Sequence, residues 1–296
     1  MANPPKQTDP MSRLFFFITI IVYLFLSQSC SKESKELNQD IKACSFNIRF
    51  DNPDDGFNQW DNRRKNIVLF LGVEKPDIIG FQEVLVNQLE YLELRLTDYS
   101  RVGIGRDDGI EKGEFAPIMY LDDRFMLLDS GNFWLSETPA VPSLGWDALI
   151  NRICTYAFLQ DRLSGEEIHV YNAHFSHVGS EARLNSAKLI LDSIAVNSQD
   201  ARVILTGDFN TEPGSSPYNE FIQNGLLDSY ETDLKLGPEG TFNGFTLTGT
   251  YDRRIDYIFF RGFEPEYYVT NSMVIDNQYL SDHFPVIALL KYNMGE

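Results

Sequence analysis

Residues 203–210 read Val-Ile-Leu-Thr-Gly-Asp-Phe-Asn. The first four are aliphatic or β-branched and make a short strand; after the glycine, Asp208 and Asn210 set a carboxylate and a carboxamide at its end. The pattern recurs outward in both directions. Residues 41–48 end in Asn47-Ile48 and run into Arg49, residues 77–81 run into Gln82-Glu83, and residues 168–172 run into Ala173-His174. Asp256 sits inside the run 255–260, and Ser281-Asp282-His283-Phe284-Pro285 leads into the run 284–290. Residues 118–121 and 153–160 are further strand-like runs. Strand ends and the loops beyond them are where a sheet converges side chains on one cleft.

Helical periodicity appears in three places. Asp61 or Asn62 is a cap for a helix carrying Ile67, Val68, Leu69 and Phe70 and ending near Gly72. Residues 85–96 repeat leucine at 89, 92 and 96, and Ser180 precedes a longer segment with Leu184, Ala187, Leu191 and Ile194 on one face. Strands outnumber helices and both are spread along the chain, which predicts one α/β domain with large sheets covered by helices. Hairpins expected around 131–142 make the sheets mixed rather than parallel.

Composition narrows the function. Of 296 residues 43% are hydrophobic, so the chain folds; 25 Lys and Arg against 43 Asp and Glu give a net charge of −18, a poor match for a broad basic nucleic-acid-binding face. Three cysteines exclude a disulfide scaffold, and Cys44 and Cys154 are expected as buried free thiols. The strand ends collect carboxylates at Glu83, Asp208, Asp256 and Asp282, imidazoles at His174 and His283, and carboxamides at Asn47 and Asn210. Such oxygen-rich sets select hard cations, Mg²⁺ before Zn²⁺, with Mn²⁺ a substitute. No nucleophile elbow or GxxxxGK loop is present. The fitting chemistry is a metal-polarised phosphoryl group attacked by water, with a His/Asp pair managing protons.

The motifs SFNIRF, GFQEV, NAHFSH, GDFN, RIDYIF and SDHFPV, in this order over about residues 41–291, resemble those of the endonuclease/exonuclease/phosphatase superfamily. Their spacing is nearest to its poly(A)-exonuclease-like branch. The resemblance implies a four-layer α/β/β/α sandwich of two mixed sheets. It implies Glu83 as principal Mg²⁺ ligand, Asn47 on metal or scissile phosphate, and Asp282 supporting the metal. Asp256 would orient His283. Asp208 and Asn210 would align the attacking water, with the general base open between Asp208 and His283. His174 would stabilise phosphoryl oxygens.

From position alone, Arg152 is a phosphate clamp, Glu114 a partner for His174, and His177 a neighbour of the site. Arg49 is placed on the same face as Asn47 by strand alternation, and Arg63, Arg64 and Arg183 are further sources of local positive charge. Partners are a phosphoester substrate and, through an anchor, a membrane; a monomer is expected.

Residues 15–26, FFFITIIVYLFL, follow Arg13 and precede Ser27-Gln28-Ser29-Cys30. They read as a basic n-region, an apolar h-region too short to span a bilayer, and a processing site. This resembles a bacterial lipoprotein signal with Cys30 as the lipidated residue and Met11 as the start. Residues 1–30 are then the signal, 31–40 a tether and 41–296 the catalytic domain, held in the cell envelope. The reading that follows is a Mg²⁺-dependent phosphoesterase. It is a nuclease, with a 3′–5′ exonuclease among the options, or a phosphatase of small-molecule, lipid-headgroup or inositol phosphates. A non-catalytic binding protein on the same scaffold is the reading from another class.

Overall fold

A computed structural model describes Met1 and residues 39–293. The segment expected to be an export signal, with Cys30, and residues 31–38 of the expected tether lie outside the described residues. The strands are β1 (Ile41–Asn47), β2 (Ile78–Gln82), β3 (Tyr99–Val102), β4 (Ile118–Leu121), β5 (Phe125–Trp134), β6 (Ile153–Asp161), β7 (Glu167–His174), β8 (Arg202–Asp208), β9 (Leu227–Asp228), β10 (Lys235–Leu236), β11 (Asp256–Arg261), β12 (Phe263–Thr270), β13 (Val274–Ile275), β14 (Gln278–Tyr279) and β15 (Val286–Tyr292). The helices are α1 (Trp60–Glu74), α2 (Val86–Glu93), α3 (Ser180–Asn197) and α4 (Ser216–Gln223).

Two mixed sheets carry the fold. One is seven-stranded in the order β10-β12-β15-β1-β2-β4-β3, the other six-stranded in the order β5-β6-β7-β8-β11-β9. Strand alternation sorts side chains between layers. Ile41, Ala43 and Ile78 meet Ile168, Val170, Ile204 and Ile258 between the sheets. Cys44, Phe46, Ile79 and Phe81 face outward onto Ile67, Phe70 and Leu71 of α1 and Leu89 and Leu92 of α2. Tyr171, Ala173, Val203 and Leu205 face outward onto Ala187, Ile190 and Ile194 of α3 and Phe221 of α4. The result is the expected α/β/β/α sandwich. Cys44 and Cys154 are free and fully buried.

Several local expectations are corrected. The first helix begins at Trp60 with Gln59 as cap, and runs through Gly72 until Lys75 adopts a left-handed conformation. In α3 the buried face is Ala182, Ser186, Ala187, Ile190 and Ile194, leaving Leu184 and Leu191 half-buried. Its capping acceptor is not Ser180 but the Asp147 carboxylate, which receives the amides of Glu181 and Ala182. No hairpin forms at 131–142: β5 runs to Trp134 and pairs with β6. Gln39 and Asp40, assigned to the tether, already dock, because the Arg124 guanidinium donates to both carbonyls. Arg63 adds no charge to a cleft. It is fully buried, donating to the carbonyls of Asn58, Ile48 and Leu280, and burial lowers its pKa to about 10.

Between the sheets the apolar core gives way to a polar seam. Gln82 donates to Asn172 Oδ1 at 2.7 Å, and Thr206 donates to the same oxygen at 3.0 Å. Asn172 donates to the Phe81 and Pro117 carbonyls, and Ser45 Oγ accepts from the Gly207 amide. Gly80 makes this approach possible, since a Cβ there would lie 2.0 Å from Thr206 Oγ1 and 2.6 Å from Asn172 Oδ1. Gly80→Ala is therefore expected to cost about 1–3 kcal/mol through forced displacement of the seam. The denaturant midpoint measures it, and an unchanged midpoint would show that the sheets part freely.

Candidate active site

The period-2 pattern that buries Ile41, Ile78, Ile168, Ile204 and Ile258 between the sheets also carries Asn47, Gln82, His174, Asp208 and Asp256 to one end of them. There a cleft of about 490 Å³ opens. It is lined by Arg49, Glu83, Glu114, Arg152, His174, His177, Asp208, Asn210, Asp282 and His283, together with Phe50, Ile150, Phe242, Arg253 and Ile255. Asn47 and Asp256, both fully buried, stand behind this lining.

Asn47 Nδ2 donates to Glu83 Oε1 at 3.1 Å and to Asp208 Oδ2 at 3.0 Å, while its oxygen accepts from the Arg49 amide. Asn47, expected on metal or scissile phosphate, uses its donor group here to hold two carboxylates together. Glu83 Oε2 accepts from the Phe50 amide, and Asp208 Oδ1 from the Asn210 amide. Arg49, Glu83 and Asn210 all have left-handed backbones, with φ of 58°, 62° and 48°. Such strain in non-glycine residues gathers at functional sites. Arg49 reaches the cleft through that turn and not by strand alternation. It is clamped by Asp55 at 2.9 and 3.0 Å, with Glu83 at 4.0 Å and Asp282 at 3.9 Å. That clamp raises its pKa.

His283 Nδ1 lies 2.9 and 3.1 Å from the two Asp256 oxygens, and its Nε2 is 3.8 Å from Asp208. Thr241 donates to Asp256 as well. Burial opposes a charged ring, but Asp256 and Asp208 outweigh it and lift His283 well above its ordinary value. Asp208 is itself pushed up to about 7, by burial and then by Asp256. His174 behaves oppositely. Burial, Arg152 and Arg106 hold it well below the usual range, so it is neutral, with Nε2 3.4 Å from Asp208. Burial raises Asp282 and Glu114.

Glu114 is not chiefly His174's partner. It forms a two-pronged pair with Arg106 at 2.7 and 2.8 Å and stays 3.8 Å from His174. Sequence reasoning missed Arg106, Phe50, Phe242 and Arg253. Arg253 is traceable, since it directly precedes the Arg-Ile-Asp-Tyr motif. Arg64 pairs with Asp61 and lies over Tyr91, and Arg183 donates to the Ser176 carbonyl; neither lines the cleft.

The donor chemistry fits a divalent cation. Ligand atoms of Glu83, His174 and Asp208 lie within 4.8 Å of one another, as do those of Asp208, Asp256 and His283. In the second set the imidazole and Asp256 already satisfy each other, so the first is the more available. In metal-free protein the Asp256–His283 pair carries its own signature. A raised imidazole pKa stabilises the fold fully below about 6.5 and loses that contribution as pH rises through the folded value. In EDTA, the gap in denaturant midpoint between wild type and Asp256→Asn is thus expected to be widest below pH 6.5 and to narrow at alkaline pH. A gap independent of pH would contradict a charged ring.

The model of the Endonuclease/Exonuclease/phosphatase family matches residues 44–283. An endonuclease/exonuclease/phosphatase family protein from Bacteroides thetaiotaomicron is 35% identical over 86% of this chain and 99% of its own, with a TM-score of 0.83. A mannosyl-6-phosphatase from the same organism is 36% identical over 85% of this chain and 100% of its own, with a TM-score of 0.80. Human tyrosyl-DNA phosphodiesterase 2 is 25% identical over 69% of this chain, a match that spans 54% of that protein. A matched span beginning at the strand of Asn47 and ending on His283 contains both halves of the cleft, and the chain belongs to the endonuclease/exonuclease/phosphatase family of phosphoester hydrolases.

Proposed function

We propose that this phosphoesterase is a Mg²⁺-dependent phosphatase of small phosphate monoesters, of the sugar-phosphate class. The cleft is the carrying observation. At about 490 Å³ it has the size of a small-molecule site, on a protein whose net charge of −18 disfavours long polyanions. The full-length likeness to a mannosyl-6-phosphatase supports the same class. The intact set of Glu83, Asp208, Asp256 and His283 speaks against a non-catalytic role.

Glu83 would hold the metal, with Asp208 and His174 beside it. Bound there, Mg²⁺ or Mn²⁺ neutralises charge on the phosphoryl oxygens. Asp208, poised near neutrality and steadied by Asn47 and Asn210, takes the proton of the attacking water. Asp256 holds the His283 ring and, with Asp208, favours its charged form; this supports His283 as a cationic donor to a phosphoryl oxygen and Asp208 as the base. Neutral His174 offers a second donor. The new P–O bond to water forms as the bond to the ester oxygen breaks, and the departing alkoxide takes up a proton through solvent to leave as the alcohol. The apolar run 15–26 and Cys30 support a site of action in the cell envelope, which a mature N-terminus at Cys30 by mass spectrometry tests.

The deciding assay offers hexose 6-phosphates, inositol phosphates, sphingomyelin, single-stranded RNA and single-stranded DNA, in Mg²⁺, Mn²⁺ or EDTA. Phosphate release from a hexose phosphate is expected with metal only. Glu83→Ala is expected to lose about 10²–10³-fold in turnover, together with Mg²⁺ binding by calorimetry. Full activity of that variant overturns the metal assignment. Turnover of nucleic acid alone replaces the phosphatase reading with a nuclease.

A further inference from the structure

The cations around the cleft are not equivalent. Arg49 is paired with Asp55, Arg106 with Glu114, and Arg253 lies 4.0 Å from Glu212. Arg152 has no carboxylate within ion-pairing distance among the described residues, although it is only 4% exposed. Its Nη2 meets His177 Nδ1 at 3.1 Å, and its Nε and Nη1 have no hydrogen-bond partner among the described residues. A buried guanidinium without a counter-charge is costly. Arg152 also borders a pocket of about 10 Å³ shared with Arg106, Glu114 and His174. That pocket has room for nothing larger than a water. Glu114, Asp208 and Glu83 act on Arg152 only from beyond pairing distance, and its open side is the cleft, beside His174 and the exposed ring of His177.

We infer that Arg152, with His177 relaying its donor to the cleft, selects phosphate monoesters over diesters. This rests on the phosphatase reading and deepens it. At neutral pH a monoester carries a charge of about −1.5 to −2 and three non-bridging oxygens. A diester carries one charge and two such oxygens. The extra charge and oxygen of the monoester are what an uncompensated guanidinium attracts, while a diester leaves part of that charge unmet. His177 accepts from Arg152 at Nδ1, so the hydrogen of its neutral ring is on Nε2 and free to donate to the same phosphoryl group.

The test uses two probes, p-nitrophenyl phosphate and bis(p-nitrophenyl) phosphate, and a readout independent of turnover, the rise in Tm produced by inorganic phosphate in EDTA. Arg152→Met is expected to lower the monoester-to-diester ratio of kcat/KM at least about tenfold, the worth of one charge-assisted contact. It is also expected to abolish the phosphate-induced rise in Tm. Arg152→Lys should recover part of both, and His177→Gln, at an exposed position, should lower the ratio by roughly threefold. An unchanged ratio, or stabilisation of Arg152→Met by phosphate equal to that of wild type, overturns the assignment. Should Arg152→Met fail to fold, the lysine and His177 variants decide by the same criteria. Wild type inactive on both probes would remove the phosphatase reading, while phosphate stabilisation lost in the variants would still uphold the anion site.

Discussion

Between the two sheets, Asn172 Oδ1 accepts hydrogen bonds from both Gln82 and Thr206, and Asn172 in turn donates to carbonyls of the opposite sheet. This small seam fixes the distance and register at which the sheets meet. One step further along the same faces stand Asn47, His174 and Asp208, so their mutual distances are set by the seam beneath them. A buried polar network of this kind stabilises only if its members find partners together, and here nearly all do. Gln82 Oε1 is the one seam atom without a partner among the described residues.

Above the seam, environment separates groups of the same chemical type. His174 and His283 are both buried, but one faces arginines and the other faces aspartates. The first is therefore neutral and the second cationic, and two identical side chains hold opposite protonation states a few ångströms from one carboxylate. Among the arginines the division is similar. Arg63 is consumed by backbone carbonyls and Arg49 by Asp55, whereas buried Arg152 pairs with no carboxylate among the described residues and leaves two of its nitrogens without a partner there.

The central strands were legible because both faces are buried and their β-branched runs end in polar residues; their ends differ from the expected ones by a residue or two. β3, β5 and β12 were not. Their side chains are largely exposed or half-buried, and β5 and β12 are interrupted by bulges at Leu127/Asp129 and Pro265/Tyr267, which erase a period of two. The helix start was placed to within one residue, Ser180 being its first residue rather than its cap, but the capping acceptor came from Asp147, far away in sequence, where no local pattern records it. The acidic and imidazole side chains of the cleft announced themselves because such groups are rare at the ends of apolar runs. Arg106 did not, because its meaning comes from Glu114 across a loop.

The shared faces of these strands have a consequence for handling the protein. Because one alternation places both the aliphatic core and the acidic cleft, sliding a strand by one residue would turn its aliphatic residues outward and its cleft residues away from the cleft in a single move. Folding errors of this type disturb the core packing and the cleft together. Specific activity of a preparation can then stand in for its fraction of correctly folded chains, and a refolding protocol can be optimised by following turnover alone.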